Sequence, residues 1–85
     1  MFKNKSDNNS NNLCGKNVYI ARKNLGLSQR ALADKLQILE LDVGKNAIQR
    51  IESGERFVTD IELKVLSQAL NVDINWLLDI DNQPS

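Results

Sequence analysis

The sequence predicts an all-α fold, a compact bundle of about five short helices. Aliphatic residues far outnumber the four aromatic ones, which favours packed helices over an aromatic-rich sheet. Apolar residues recur at spacings of three and four, and Gly or N-capping residues separate the repeats. Because no repeat is long enough for three heptads, we expect the helices to cross one another in one small domain, residues 13–80.

The first predicted helix begins near Leu13, after a polar, Asn-rich segment. Residues 1–12 have almost no apolar side chains to offset the entropy of ordering, so we expect a disordered tail there. The apolar stripe of the helix consists of Cys14, Val18, Ala21 and Leu25. Gly26 is expected to end the helix, because glycine readily adopts the left-handed conformation found just past many helix ends.

The second helix is predicted to begin after Ser28, a residue type that caps helix N-termini. Its buried side is expected to consist of Ala31, Leu32, Leu36 and Leu39. Asp42 and Gly44 interrupt the pattern, and a short third helix should run from there to Gly54. Its inward positions are Ala47, Ile48 and Ile51, and its outward positions are Lys45, Asn46, Gln49 and Arg50.

The fourth helix is predicted from Thr59 and Glu62, which have the spacing of a capping box. Its core stripe is expected to be Leu63, Leu66 and Leu70. Asp73 should cap a fifth, shorter helix. The apolar residues of that helix are Ile74, Leu77 and Leu78. Residues 81–85 should form a frayed C-terminus.

The composition argues against several classes of function. With one cysteine and no histidine, we expect neither a disulfide nor a metal site. The sequence has no nucleophile with an evident base partner and no Gly-rich phosphate loop, so we expect no enzyme, no cofactor and no small-molecule ligand. No apolar run approaches the roughly 18 residues that a membrane span needs, and the N-terminus lacks the apolar core of a signal peptide. We therefore expect a cytoplasmic protein with no membrane partner.

The formal net charge is zero, whereas DNA-binding domains usually have a basic excess. The charges are nevertheless segregated along the chain. Basic residues outnumber acidic ones from residue 13 to residue 58, and acidic residues outnumber basic ones from 59 to 85. This asymmetry suits a domain that orients on DNA, but charges that only solvate helix faces give a similar pattern.

Three segments in a fixed order carry a resemblance to a known family: ARKNLGLSQRALADKL, AIQRIESGERFV and LKVLSQALNVDINWLL. Together they resemble the lambda-repressor-like, Cro/C1-type helix-turn-helix domains of phage repressors and small bacterial regulators, over residues 15–78. The resemblance implies a sequence-specific transcriptional regulator, a repressor, that binds double-stranded DNA as a homodimer. It also implies that the helix around residues 45–52 enters the major groove.

The resemblance also assigns roles to individual residues. Those expected to contact bases are Lys45, Asn46, Gln49 and Arg50, whose side-chain types pair with guanine or adenine edges. Those expected to contact phosphates are Gln29, Lys23 and Arg56. Arg22 and Glu52 are expected to form a structural ion pair. For any one of these residues, an ordinary solvated polar surface is the alternative interpretation.

The sequence departs from the family between the second and third helices. The segment QILELDVGKN is longer there than the usual short turn by about five residues and has no glycine in the usual place. Its apolar residues should pack, so we expect a longer second helix or an added helical turn. The insertion could tilt the third helix, or it could bring Glu40 and Asp42 close to phosphates, which they would repel.

A different class of function remains open from the sequence: a protein-interaction module of the antitoxin or anti-repressor type, with weak or no DNA binding. The zero net charge and the acidic fourth and fifth helices favour it. We expect the contact surface of a homodimer near the C-terminus. The apolar residues there are Trp76, Leu77, Leu78 and Ile80. Trp76 has the equally plausible alternative role of closing the core.

Overall fold

Five α-helices joined by short turns make up the part of the chain that the computed structural model describes, residues 11–78. They are α1 (Gly15–Asn24), α2 (Gln29–Ile38), α3 (Lys45–Ser53), α4 (Asp60–Leu70) and α5 (Ile74–Leu77). No strand occurs among these residues. The predicted all-α fold of about five short helices is therefore confirmed. None of the five helices is long and apolar enough to cross a membrane.

The helix boundaries follow the local signals in the sequence. The Ser28 hydroxyl accepts a hydrogen bond from the Ala31 backbone N–H at 3.0 Å, and Thr59 and Glu62 form both hydrogen bonds of a capping box. Gly26 and Gly54 have φ angles of 71° and 85°, in the left-handed region that glycine adopts at little cost and that ends many helices. Asp73 occupies the N-cap position of α5, but its side chain makes no capping hydrogen bond.

The core lies where α1, α2, α3 and α4 meet, and α5 closes it through Leu77. Its buried apolar residues are Cys14, Val18, Ala21, Leu32, Ala33, Leu36, Val43, Ile48, Ile51, Leu66, Ala69, Leu70 and Leu77. The predicted stripes are confirmed in their central positions. Ala47, Leu63 and Leu78 pack at the edge of this core and are half-buried, and Ala31 is half-buried as well.

The prediction that Leu25 and Leu39 belong to the core is wrong. Leu25 is 46% exposed and Leu39 is 39% exposed. Both are C-cap residues, at which the chain leaves the helix. Helical periodicity holds only while the chain remains helical, so it misplaces the residue that follows the last turn. Ile74, the first residue of α5, is also exposed.

The segment between α2 and α3 contains no added helical turn, which was one of the two forms expected for the insertion. α2 ends at Ile38, and residues 39–44, hereafter the inserted turn, have no helix. Glu40 has a φ angle of 68°, a left-handed conformation that an L-residue cannot propagate as a helix. Leu41 and Val43 then turn towards the core, with Val43 buried and Leu41 half-buried.

The first two described residues, Asn11 and Asn12, lie beside the C-terminal end of α3 and are held there by hydrogen bonds. The Asn11 backbone N–H donates to the Gly54 carbonyl at 2.7 Å, and the Asn12 side-chain amide donates to the carbonyls of Ile51 and Arg56 at 3.1 and 2.7 Å. These two residues, assigned to the tail from sequence, therefore belong to the packed domain. The rest of the predicted tail, Ile80 and the predicted frayed end lie outside the described residues.

Candidate nucleic-acid interface

The outward face of α3 consists of exposed polar side chains. Lys45, Asn46, Gln49 and Arg50 are all exposed. Ile48 and Ile51, on the opposite face, are completely buried because they occur at the helical spacing that points into the core. The helix is thus held to the domain by two apolar residues and presents two cations and two amides to solvent.

A cationic groove of about 560 Å³ adjoins α3 at Lys45. We use the name cationic groove for the depression lined by Arg22, Lys23, Gly26, Leu27, Ser28, Gln29, Arg30 and Lys45. It contains the N-terminus of α2, where backbone N–H groups lack helical carbonyl partners. Positive side chains and free N–H groups together make a site that attracts anions.

The floor of the cationic groove is organised by the ion pair between Arg22 and Glu52. The Nε and Nη2 atoms of Arg22 donate to the two carboxylate oxygens of Glu52 at 2.6 and 3.0 Å. Nη1 of Arg22 also donates to the Leu27 carbonyl at 2.8 Å. Both side chains are buried, and the hydrogen bond to Glu52 raises the pKa of Arg22 above its ordinary value. The structure therefore contains the pair that the resemblance implied, joining α1 to α3.

Gln29, the first residue of α2, is also held by Glu52. Its amide nitrogen donates to Oε1 of Glu52 at 3.1 Å. Because a carboxylate can only accept hydrogen bonds, this contact fixes which end of the amide points inwards. One acidic side chain of α3 thus connects α1 and α2 at the edge of the groove. The second N–H of the Gln29 amide is the donor that this side chain still has for a phosphate.

Lys23 and Arg56, the other residues predicted to contact phosphates, have different surroundings. Lys23 is exposed, lines the cationic groove and has its Nζ 6.0 Å from the centre of the Tyr19 ring. The Arg56 guanidinium instead donates from Nη1 and Nη2 to the two carboxylate oxygens of Glu62 at 3.0 and 2.9 Å. Arg56 is absent from the residues that line the groove. The fold therefore brings Lys23 and Gln29 together and leaves Arg56 with α4.

Arg30 is a candidate interface residue that the sequence analysis missed. It is exposed at the second position of α2 and lines the cationic groove beside Lys45. The sequence did contain one sign that Arg30 could belong to the interface, which is its position directly after Gln29. Adjacent residues in the first turn share the N-terminal end of a helix. The sequence could not show that this end lies next to the start of α3.

The apolar residues considered for a dimer surface are divided between core and surface. Leu77 is completely buried, and the backbone carbonyls of Trp76 and Leu77 accept hydrogen bonds from the Asn17 amide at 2.8 and 3.3 Å. Trp76 and Leu78 are half-buried against the core. More strongly exposed apolar side chains occur at Phe57 and Ile61.

Comparison with protein-family models gives one match, to a family described as helix-turn-helix, over residues 18–77. The matched range covers most of α1 and all of α2, α3, α4 and α5. It contains every residue that lines the cationic groove and the whole outward face of α3. No curated protein matches the chain.

Proposed function

Because the chain belongs to the Cro/C1-type helix-turn-helix family, whose domains bind DNA, we propose that it is a sequence-specific transcriptional regulator that acts as a repressor. The observation that carries the proposal is the continuity between two surfaces. The exposed polar face of α3 meets the cationic groove at Lys45, which belongs to both. A base-reading surface and a phosphate-binding surface are needed together for specific recognition of duplex DNA.

In the proposed complex, α3 lies in the major groove and reads base edges. Lys45 and Arg50 are suited to the acceptor atoms of guanine, and Asn46 and Gln49 are suited to the paired donor and acceptor of adenine. Neither Lys45 nor Arg50 takes part in an ion pair among residues 11–78. Their charges are therefore available to DNA without the loss of an internal contact.

The backbone contacts proposed for the complex centre on the N-terminus of α2. Gln29 and the neighbouring backbone N–H groups would bind one phosphate, with Lys23 and Arg30 beside it in the groove. The Arg56 guanidinium is already paired with Glu62. To contact a phosphate, Arg56 would have to share its guanidinium between the two groups or give up the ion pair. We therefore propose Gln29 as the principal anchor and rank Arg56 below Lys23.

Repression would follow from occupancy of DNA that the polymerase needs. One α3 covers only a few base pairs, so we propose that two copies bind as a homodimer to half-sites about 34 Å apart. We propose that such a regulator acts in the cytoplasm, where it can reach its DNA.

The test is selection of bound sequences from a random pool of duplex DNA. The wild-type chain should enrich a two-fold symmetric consensus, and Asn46→Ala and Arg50→Ala should each weaken or change it at defined positions. Lys64→Ala, an exposed lysine of α4 outside the proposed interface, is the control and should retain the consensus. Recovery of the same consensus at the same strength by the two α3 variants would show that α3 does not read the bases.

A protein-interaction module is the second candidate, and exposed apolar side chains favour it. Ile38, Phe57 and Ile61 are each more than half exposed. Apolar side chains at the surface suit a protein partner rather than DNA. A salt titration of binding to random duplex DNA separates the two candidates. A steep loss of affinity with salt supports DNA binding through several phosphates, whereas no binding at low salt supports the protein partner.

A further inference from the structure

The inserted turn has a fixed course, because apolar residues anchor it on both sides of Asp42. Leu41 is half-buried, Val43 is buried, and Asp42 between them is exposed. Backbone hydrogen bonds from Leu41 N–H to the Leu36 carbonyl and from Val43 N–H to the Leu41 carbonyl, at 2.9 and 3.1 Å, hold the same segment. Asp42 is therefore presented outwards by a supported backbone.

The side chain of Asp42 lies at the edge of the proposed DNA interface. It lines a second depression of about 260 Å³, which we call the mixed-charge depression. The residues that line it are Arg30, Ala33, Asp34, Gln37, Asp42, Val43, Gly44 and Lys45. Arg30 and Lys45 also line the cationic groove, so the two depressions share these cations. A DNA backbone that follows them passes close to the carboxylate of Asp42.

Glu40, the other acid of the inserted turn, has a different position. It lines neither depression and has a left-handed backbone conformation two residues after the end of α2. The sequence named Glu40 and Asp42 together as sources of repulsion. Of these two acids, the fold brings only Asp42 to the depression that contains the shared cations, where Asp34 of α2 is the other acidic lining residue.

We propose that Asp42 lowers the affinity of the interface for DNA phosphates and so limits binding to DNA of any sequence. This inference rests on the proposed function. The carboxylate repels phosphates and partly neutralises the field of Arg30 and Lys45 on any duplex. Because this repulsion does not depend on sequence, only a duplex that also gains base contacts from α3 should remain tightly bound.

The test compares Asp42→Asn with Glu40→Gln, which removes the same charge two residues away. Both variants and the wild-type chain are titrated with a random duplex and with the duplex recovered by selection, at several salt concentrations. Asp42→Asn should raise affinity for the random duplex about fivefold at low salt, and Glu40→Gln by less than about twofold. Because the effect is on phosphates, Asp42→Asn should raise the affinity for the selected duplex by a similar factor, and the ratio of the two affinities should change little.

Thermal melting of each variant checks that the fold is kept, and Asp42→Ser, which also removes the carboxylate, should reproduce the effect of Asp42→Asn. Equal behaviour of Asp42→Asn and Glu40→Gln, or an unchanged affinity of Asp42→Asn for the random duplex, overturns the inference and leaves the proposed function standing. Failure of the wild-type chain to bind either duplex at low salt overturns both.

Discussion

Arg22 of α1, which lines the cationic groove, forms a two-point ion pair with Glu52 of α3, with Nε to Oε2 at 2.6 Å and Nη2 to Oε1 at 3.0 Å. The same carboxylate accepts the hydrogen bond from Gln29 of α2. The pair therefore sets the relative positions of the three helices from which the proposed interface is built. Its loss should affect the whole domain and not only local binding.

Arg22→Ala should lower the free energy of unfolding by about 3–5 kcal/mol, because it leaves the buried carboxylate of Glu52 without its cation. Lys23→Ala, next in sequence but exposed, should cost less than about 0.5 kcal/mol. Urea unfolding followed by circular dichroism measures both. Small, equal shifts in the two variants would mean that the pair contributes little to stability.

Gly15→Ala should destabilise the domain by about 1–3 kcal/mol. A Cβ atom at Gly15 would overlap the backbone carbonyl of Ile51, so α1 and α3 must separate to accommodate it. Gly44→Ala is the control, since nothing lies within 4 Å of the Cβ position there. Thermal melting should show a clear loss for the first variant and a minor one for the second. A fully stable Gly15→Ala would contradict the close approach of the two helices.

Glu62 should make part of the stability depend on acidic pH. The Arg56 guanidinium holds the pKa of Glu62 below its ordinary value of 4.5. A carboxyl group with a lower pKa in the folded state stabilises the fold above its unfolded pKa, and this contribution is lost as the pH falls through the folded value. Glu62→Gln should therefore lose more stability near neutral pH than at the acidic end.

Urea midpoints between pH 7 and about pH 3 measure this difference. Asp34→Asn is the control, because Asp34 is exposed and forms no ion pair among residues 11–78. Near pH 7 this variant should lose less stability than Glu62→Gln. A pH-independent loss of stability in Glu62→Gln would contradict a role of its ionised form.

The Cys14 thiol should react slowly with alkylating reagents in the folded protein. Its side chain is buried, and burial raises its pKa to about 11. Both effects deplete the accessible thiolate that such reagents attack. Labelling with a maleimide at pH 8 should be slow without denaturant and become fast in urea above the unfolding midpoint. Fast labelling under native conditions would show that the N-terminus of α1 opens readily.

The helices and the outward face of α3 could be predicted from the sequence because their signals are local. The hydroxyl of Ser28, the capping box of Thr59 and Glu62, and the glycine at position 54 act on backbone groups within one turn. The three-and-four spacing of Ile48 and Ile51 likewise fixes which side of α3 faces solvent. None of these signals depends on where another helix lies.

The resemblance supplied the pairing of Arg22 with Glu52, but periodicity could not have done so, because those residues are 30 apart in sequence. The same limit applies to the hydrogen bond from Gln29 to Glu52, which arises only when α2 and α3 have packed. It also applies to Arg30, which becomes part of the groove only through the position of Lys45.

The sequence by itself thus determined five helices, the N-terminal caps of α2 and α4 and a polar face on α3. The tertiary structure decided what surrounds that face: Leu25 and Leu39 at the surface, an inserted turn without helix, Arg56 held by Glu62, and Asp42 rather than Glu40 beside the shared cations. The physical reason is the distance along the chain over which each interaction acts. Capping and periodicity act over three or four residues, whereas the field at a surface depends on charges from every helix that packing brings there.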